Sequence, residues 1–232
     1  YSADGESWEY SKIDGGNSIR YGAYPSENTW FVTAGLWDTS DASVSNSTIT
    51  ALSTEGSHAL SSRLHMGKRS SLKLKDGEEQ GWWGKIWKTS DGGKSWSNVF
   101  KTPVEDQYYF NAISCGSESN CIAVGEGIQG TSPYAVALMT KDGGATWTKT
   151  FESTEVASLM AAVMTSETEG WIAPLAESFS TDFYHTTDGG ATWTNDQSLK
   201  GCFSTYLDAR EGLTLSTCLN KSGSKASVVF YA

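Results

Sequence analysis

The sequence predicts an all-β fold: a small β-propeller, most simply four blades of four antiparallel strands, forming one domain over 1–232. Three observations predict it. One phrase recurs as TSDGGKSW at 89–96, TKDGGATW at 140–147 and TTDGGATW at 186–193, with a worn copy, YSADGESW, at 1–8. The aspartates of the clear copies, Asp91, Asp142 and Asp188, stand 51 and 46 residues apart, the length of one four-stranded blade. Four segments, AYPSENTWF, ISCGSESNCIAV, VMTSETEGWIA and YLDAREGLTL, read as hairpins with similar turns, and Glu27, Glu118, Glu167 and Glu211 fall at nearly equivalent places in them.

The repeated phrase has a mechanical reading. An aspartate ahead of Gly-Gly folds its carboxylate back onto backbone N–H groups, and the glycines accept the positive φ of a tight turn. Ser95, Thr146 and Thr192 supply a hydroxyl across that turn, and Trp96, Trp147 and Trp193 leave it toward the interior and cover it. The pattern S/T-x-D-x-G-x-T/S-W resembles the Asp box, or bacterial neuraminidase repeat, of sialidases, sortilin-type receptors and the photosystem II assembly factors of plastids and cyanobacteria. The resemblance implies that the box joins the third and fourth strands of each blade, away from the usual active face. It also implies structural roles for Asp4, Asp91, Gly93, Trp96, Asp142, Gly144, Trp147, Asp188, Gly190 and Trp193.

Each clear box follows an apolar or aromatic strand and precedes a short one: GKIWKTSDGG runs into WSNVF, AVALMTKDGG into WTKTF, and DFYHTTDGG into WTNDQ. At the C-terminus, ASVVFYA has the character of a third strand with no box behind it, whereas YSADGESW and WEYSKI offer a box and a fourth strand at the N-terminus. Pairing the two ends completes the fourth sheet and removes open edges. Five blades is the alternative. The first blade is interrupted: its A–B hairpin spans roughly 19–37 and its third strand begins near Gly81, leaving an insertion at 39–80 that is far longer than an ordinary loop. Because meander strands alternate direction, this insertion belongs on the face opposite the turn glutamates.

Composition narrows the partners. With 27 acidic and 17 basic residues the net charge is −10, which argues against nucleic acid or an anionic membrane surface. No run approaches the ~18 apolar residues of a membrane span, and the chain starts without Met or a signal-like segment, as a processed chain or excised part would. The dense basic cluster, Arg63, Lys68, Arg69, Lys73 and Lys75, lies in the insertion and is the candidate contact surface for an acidic protein or another copy of the chain. Cys115 and Cys121 flank GSESN, and Cys202 and Cys218 are symmetric about DAREG, so each pair is a candidate cross-strand disulfide. Disulfides favour a location outside the cytosol, whether secreted, cell-surface or in a plastid compartment.

Motifs for chemistry are sparse. Neither cysteine spacing nor the three scattered histidines suits a metal. GEGIQG at 125–130 matches G-x-G-x-x-G but leads into TSPYAV rather than a helix, so no dinucleotide or other cofactor is expected. The sialidase resemblance implies three carboxylate-clamping arginines and an R-I-P motif; the chain has Arg20, Arg63, Arg69 and Arg210 and no R-I-P, so that activity is not carried over. Asp38, Glu126 and Glu177, at the ends of second strands, are the first suspects for glycoside chemistry, and Trp82, Trp83 and Trp87 for stacking on sugar. The blade phrases FNAISCGSESNCIAVGEG and LMTKDGGATWTKTF are similar to those of the photosystem II assembly factors over about 110–193, which implies a non-enzymatic propeller that binds proteins. Those factors have seven blades and an arginine-rich face, so docking of photosystem precursors is not carried over. A shell-forming protein of algal pyrenoids, built from β-rich subunits, is an alternative family for which no motif decides. The expected function is a scaffold binding proteins or copies of itself in a larger array; the alternative is a secreted glycan-binding or glycoside-hydrolysing propeller.

Deleting 40–80 is expected to leave the propeller folded and to weaken assembly, and charge reversal at Arg63, Lys68 and Arg69 should do the same. Light scattering across salt concentrations checks this, since screening should reproduce part of the effect.

Overall fold

The structure of the chain, a computed structural model, describes residues 5–13, 18–36, 83–103, 105–129, 132–175, 183–196, 203–210, 213–219 and 226–231. They belong to one compact unit formed by Tyr1–Leu36 and Trp82–Ala232. The insertion at 39–80, its basic cluster, and the region of the five-blade alternative lie outside the described residues.

The described residues are all-β, in four antiparallel sheets that follow one another along the chain. The first contains β1 (Ile19–Ala23), β2 (Trp30–Leu36), β3 (Trp83–Thr89) and β4 (Ser97–Lys101), and the second β5 (Tyr108–Cys115), β6 (Cys121–Gln129), β7 (Ser132–Thr140) and β8 (Thr148–Ser153). The third contains β9 (Ser158–Met164), β10 (Gly170–Leu175), β11 (Phe183–Thr186) and β12 (Thr194–Asp196), and the fourth β13 (Phe203–Arg210), β14 (Leu213–Leu219) and β15 (Ala226–Tyr231). Within every sheet each strand pairs with its sequence neighbour, so each is a meander. The four hairpins read from the sequence are the β1–β2, β5–β6, β9–β10 and β13–β14 pairs.

The packing explains why the middle strands read as continuous apolar runs rather than alternating ones. Side chains alternate between the faces of a strand, and here both faces are covered. On β7, Tyr134, Val136 and Leu138 join a cluster with Phe31 and Ile86 of the first sheet. Their neighbours Ala135, Ala137 and Met139 face the other way, into a cluster with Leu159, Ala162 and Ile172 of the third sheet. A smaller cluster joins Ala161, Val163 and Phe183 of the third sheet to Leu207 of the fourth. The outer strands β4 and β8 are more exposed and carry polar and lysine side chains, as edge strands commonly do.

Two sequence expectations meet the coordinates here. Cys115 and Cys121 are cross-strand partners on β5 and β6 and form a disulfide with an S–S distance of 2.04 Å. Cys202 lies outside the described residues, and the register sets Cys218 opposite Ser204. The N-terminal expectation is corrected: residues 5–13 carry no strand, and among the described residues the fourth sheet has three strands, β13-β14-β15. The reason is a competing attachment. The Ser11 hydroxyl accepts the indole N–H of Trp96 at 2.7 Å and donates to the carbonyl of Gly93, which holds this segment on the β3–β4 turn.

Phe31 is fully buried and meets the ring of Trp147 edge-on at 6.4 Å across the interface between the first two sheets. Phe31→Ala is expected to cost about 3–5 kcal/mol, because the cavity opens between two sheets that cannot both collapse into it; urea unfolding at equilibrium measures it.

Candidate functional site

The repeated turns join β3 to β4, β7 to β8 and β11 to β12, and they share one hydrogen-bond pattern. In the β7–β8 turn, Asp142 Oδ1 accepts the backbone N–H of Thr146 at 2.8 Å and Oδ2 accepts its hydroxyl at 2.6 Å. Asp91 receives the same pair from Ser95, and Asp188 from Thr192. Behind each aspartate is a buried threonine. Thr89, Thr140 and Thr186 donate their hydroxyls to the aspartate Oδ1, and the same oxygens accept the N–H groups of Gly93, Gly144 and Gly190. The glycine pairs 92–93, 143–144 and 189–190 all have φ between +69° and +90°, which L side chains adopt only with strain.

The turns are tied outward as well. The N–H groups of Gly92, Gly143 and Gly189 donate to Asn28, Ser119 and Thr168 of the first hairpin turn in the same sheet, so box turns and hairpin turns share one end of each sheet. Lys88 donates to the carbonyl of Gly143 at 2.8 Å, and Lys141 to that of Asp188 at 3.4 Å, each linking one sheet to the next. Glu118 accepts the hydroxyl of Thr29 at 3.1 Å across the first interface. Trp96, Trp147 and Trp193 are half-buried; Trp147 packs on Phe31 and Phe100, and Trp193 on the cluster between the second and third sheets.

Hydroxyl donation from Ser95, Thr146 and Thr192 is the main reason that Asp91, Asp142 and Asp188 are each lowered to about 2. Both oxygens of each carboxylate are engaged within its own turn. That arrangement fixes a loop and leaves little for proton transfer.

Two other polar constellations lie on the inner strands. Glu126 is largely buried and accepts the hydroxyl of the buried Tyr109. The guanidinium of Arg20 lies 4.3 Å from the centre of the Tyr109 ring, and Asn111 donates to Ser158 and to the carbonyl of Leu159. Burial is the largest cause raising the Tyr109 phenol far above its ordinary value, with Glu126 second. Toward the hairpin-turn end, a pocket of about 160 Å³ is lined from β1, β5, β9 and β13 together. Its polar lining includes Tyr21, Tyr24, Tyr206 and Asp208.

Of the residues singled out in the sequence, the structure brings each clear aspartate together with its hydroxyl and glycine partners. Asp4, Arg63, Lys68, Arg69, Lys73 and Lys75 lie outside the described residues, as do Asp38, Glu177 and Trp82. Trp83 is buried, with the Lys85 ammonium 5.0 Å from its ring. Gly125–Gln129 of the glycine-rich match lies within β6 and leads to no helix among the described residues. Among the described residues no three His, Cys, Asp or Glu side chains gather as a metal site would require, and no helix is long and apolar enough to cross a membrane. The buried threonines were visible in every clear repeat, yet their part as hydrogen-bond hubs needs the fold to be seen.

No family model and no curated protein sequence matches the chain. Solved structures do. YCF48 bound to a D1 peptide aligns with a TM-score of 0.52 at 13% identity, covering 91% of this chain and 51% of that one. A xyloglucanase from Xanthomonas campestris aligns at 0.50 and 10% identity, covering 92% and 29%, and an acylaminoacyl peptidase in complex with a chloromethyl ketone aligns at 0.50 and 10%, covering 93% and 30%. The chain thus spans about half the length of the first of these and under a third of the other two. The class that the sheets and these alignments define is the β-propeller.

The lowered aspartates make a pH prediction. Each folded value lies below that of the unfolded chain, so their stabilisation is fully present above about pH 4 and is lost as pH falls toward 2. Replacing Asp91, Asp142 and Asp188 together by Asn should flatten the decline of melting temperature between about pH 5 and 2, and Asp142→Ala alone should lower it by about 2–8 °C at pH 7. Scanning calorimetry over that range provides the check.

Proposed function

We propose that the chain is a non-enzymatic scaffold, a ring of four blades, three of them closed by Asp-box turns among the described residues, that binds proteins or copies of itself. The observation that carries this reading is the saturation of the repeated carboxylates within their own turns: the most recurrent acidic residues of the chain hold loops. The four-bladed ring is supported by the pocket that β1, β5, β9 and β13 line in common, with β1 and β13 meeting across it. A protein ligand is supported by the fold shared with YCF48, whose structure holds a D1 peptide. The insertion at 39–80, with Arg63, Lys68, Arg69, Lys73 and Lys75, serves as the contact arm toward an acidic surface. A location outside the cytosol is supported by the Cys115–Cys121 disulfide.

One observation favours the competing reading, a glycan-binding or glycoside-cleaving module: Glu126 is buried against a tyrosine hydroxyl on an inner sheet. The two readings separate in one set of measurements. Native mass spectrometry of the full chain, alone and with a tiled peptide library, is expected to show higher-order copies or saturable peptide binding at about micromolar Kd. A panel of aryl glycosides should release no phenol. Turnover of any of them that Glu126→Gln abolishes would reverse the assignment.

A further inference from the structure

The shared pocket at the hairpin-turn end has a composition that selects its occupant. Tyr21 and Tyr24 reach it from β1 and the turn that follows, and Tyr206 and Asp208 from β13. Tyr21 is half-buried, whereas Tyr24 is 67% exposed and Tyr206 39%, and the exposed lining of the pocket is mainly polar. Tyr24 is held in place by two neighbours. Trp30 meets its ring edge-on at 5.7 Å, and Gly22 leaves the space its hydroxyl fills: a Cβ added at Gly22 would lie 2.7 Å from that oxygen. Burial first, then Tyr206 and Asp208, raise the Tyr21 phenol above its ordinary value, which places both β13 groups near its hydroxyl.

Size and charge both restrict the ligand. The volume of about 160 Å³ matches a cavity that accepts one benzene-sized group and is well below the ~300–1,000 Å³ of small-molecule sites. It has room for the head of one side chain. Phenol oxygens accept hydrogen bonds from a cation, the Asp208 carboxylate adds charge while accepting the Tyr206 hydroxyl at 3.5 Å, and the whole chain carries −10.

We propose that this pocket receives a single basic side chain, arginine or lysine, presented by a protein partner, with its cation held among the phenol groups of Tyr21, Tyr24 and Tyr206 and beside the carboxylate of Asp208. The proposal rests on the protein-binding reading and specifies the chemistry of the partner's surface. It is separate from the basic insertion, which selects an acidic surface.

The test uses the full chain with ring-labelled tyrosines, titrated with N-acetylarginine amide, N-acetyllysine amide and the uncharged isostere N-acetylcitrulline amide. Saturable shifts are expected at Tyr21, Tyr24 and Tyr206 with both basic amides, at about millimolar Kd, and about fivefold weaker binding of the citrulline amide. Asp208→Asn and Tyr24→Ala should each weaken the arginine amide by about fivefold; Tyr24 is mostly exposed, so its removal keeps the test open if the buried neighbour affects folding. Gly22→Val, which displaces the Tyr24 ring while retaining it, should reproduce the Tyr24→Ala loss. Absence of shifts at these rings, equal binding of the citrulline amide, or full binding by Tyr24→Ala overturns the proposal. Peptide binding that persists in such a case would leave the scaffold reading standing and remove the pocket alone.

Discussion

Burial on both faces is the constraint from which the rest of this architecture follows. A sheet with Val136 and Leu138 on one side and Ala137 and Met139 on the other has no solvent face to offer. Isolated, it would expose two apolar surfaces; stacked between neighbours, it exposes neither. The interfaces are consequently as apolar as a domain core, with Phe31, Phe110 and Ile113 in one and Ile122, Leu159 and Ile172 in the next, all at or near zero exposure. The second and third sheets therefore each depend on the one before and the one after, and loss of a single large side chain at an interface is felt by two sheets.

Face-to-face stacking needs a fixed relative position, and the repeated turns provide it. Each box turn is closed by its aspartate and threonine, then tied to the first hairpin turn of its own sheet through a glycine N–H. From that position it receives a lysine from the preceding sheet, Lys88 for the second turn and Lys141 for the third. Trp147 completes the link by packing on Phe31. The acceptors of the two lysines are carbonyls rather than carboxylates, so these links do not require the aspartates to leave their own turns. Local closure and registration between sheets are thus parts of one device, which explains why Thr, Asp and two glycines recur together at blade-length spacing.

The sequence made the repeats legible because the turn chemistry is local: every partner of Asp142 lies within four residues of it. The strands were legible for a similar reason, since an apolar run between turn signals is a buried strand whatever it packs on. The N-terminal strand misled for the opposite reason. WEYSKI has the letters of a fourth strand, but residues 8–13 carry none, and Ser11 reaches Trp96, a contact across 85 positions that no local pattern announces. The tyrosine pocket was equally hidden. Its lining comes from four strands distributed over most of the chain, and Tyr21, Tyr24, Tyr206 and Asp208 obey no common spacing. Even the buried Glu126, singled out by position, gained its partner only when β5 and β6 paired and brought Tyr109 opposite it.

That contrast separates what the repeats do from where recognition can reside. A feature present in three copies, one in each of the first three sheets, makes those sheets alike; it holds each loop in the same way and distinguishes none of them. The inner strands are not alike. At comparable depths β1 supplies Tyr21, β5 supplies Ile113 and Ser114, β9 supplies Ala162 and Val163, and β13 supplies Tyr206 and Asp208. Repetition at the turns makes the first three sheets alike, and the absence of repetition along the inner strands makes the space between them chemically lopsided, with phenols and a carboxylate from β1 and β13 and Ile113, Ser114, Ala162 and Val163 from β5 and β9. A ligand entering that space meets four different walls, so it is read by its charge and its shape together. The structural repeats are thus the scaffold on which a single, asymmetric binding surface can be built.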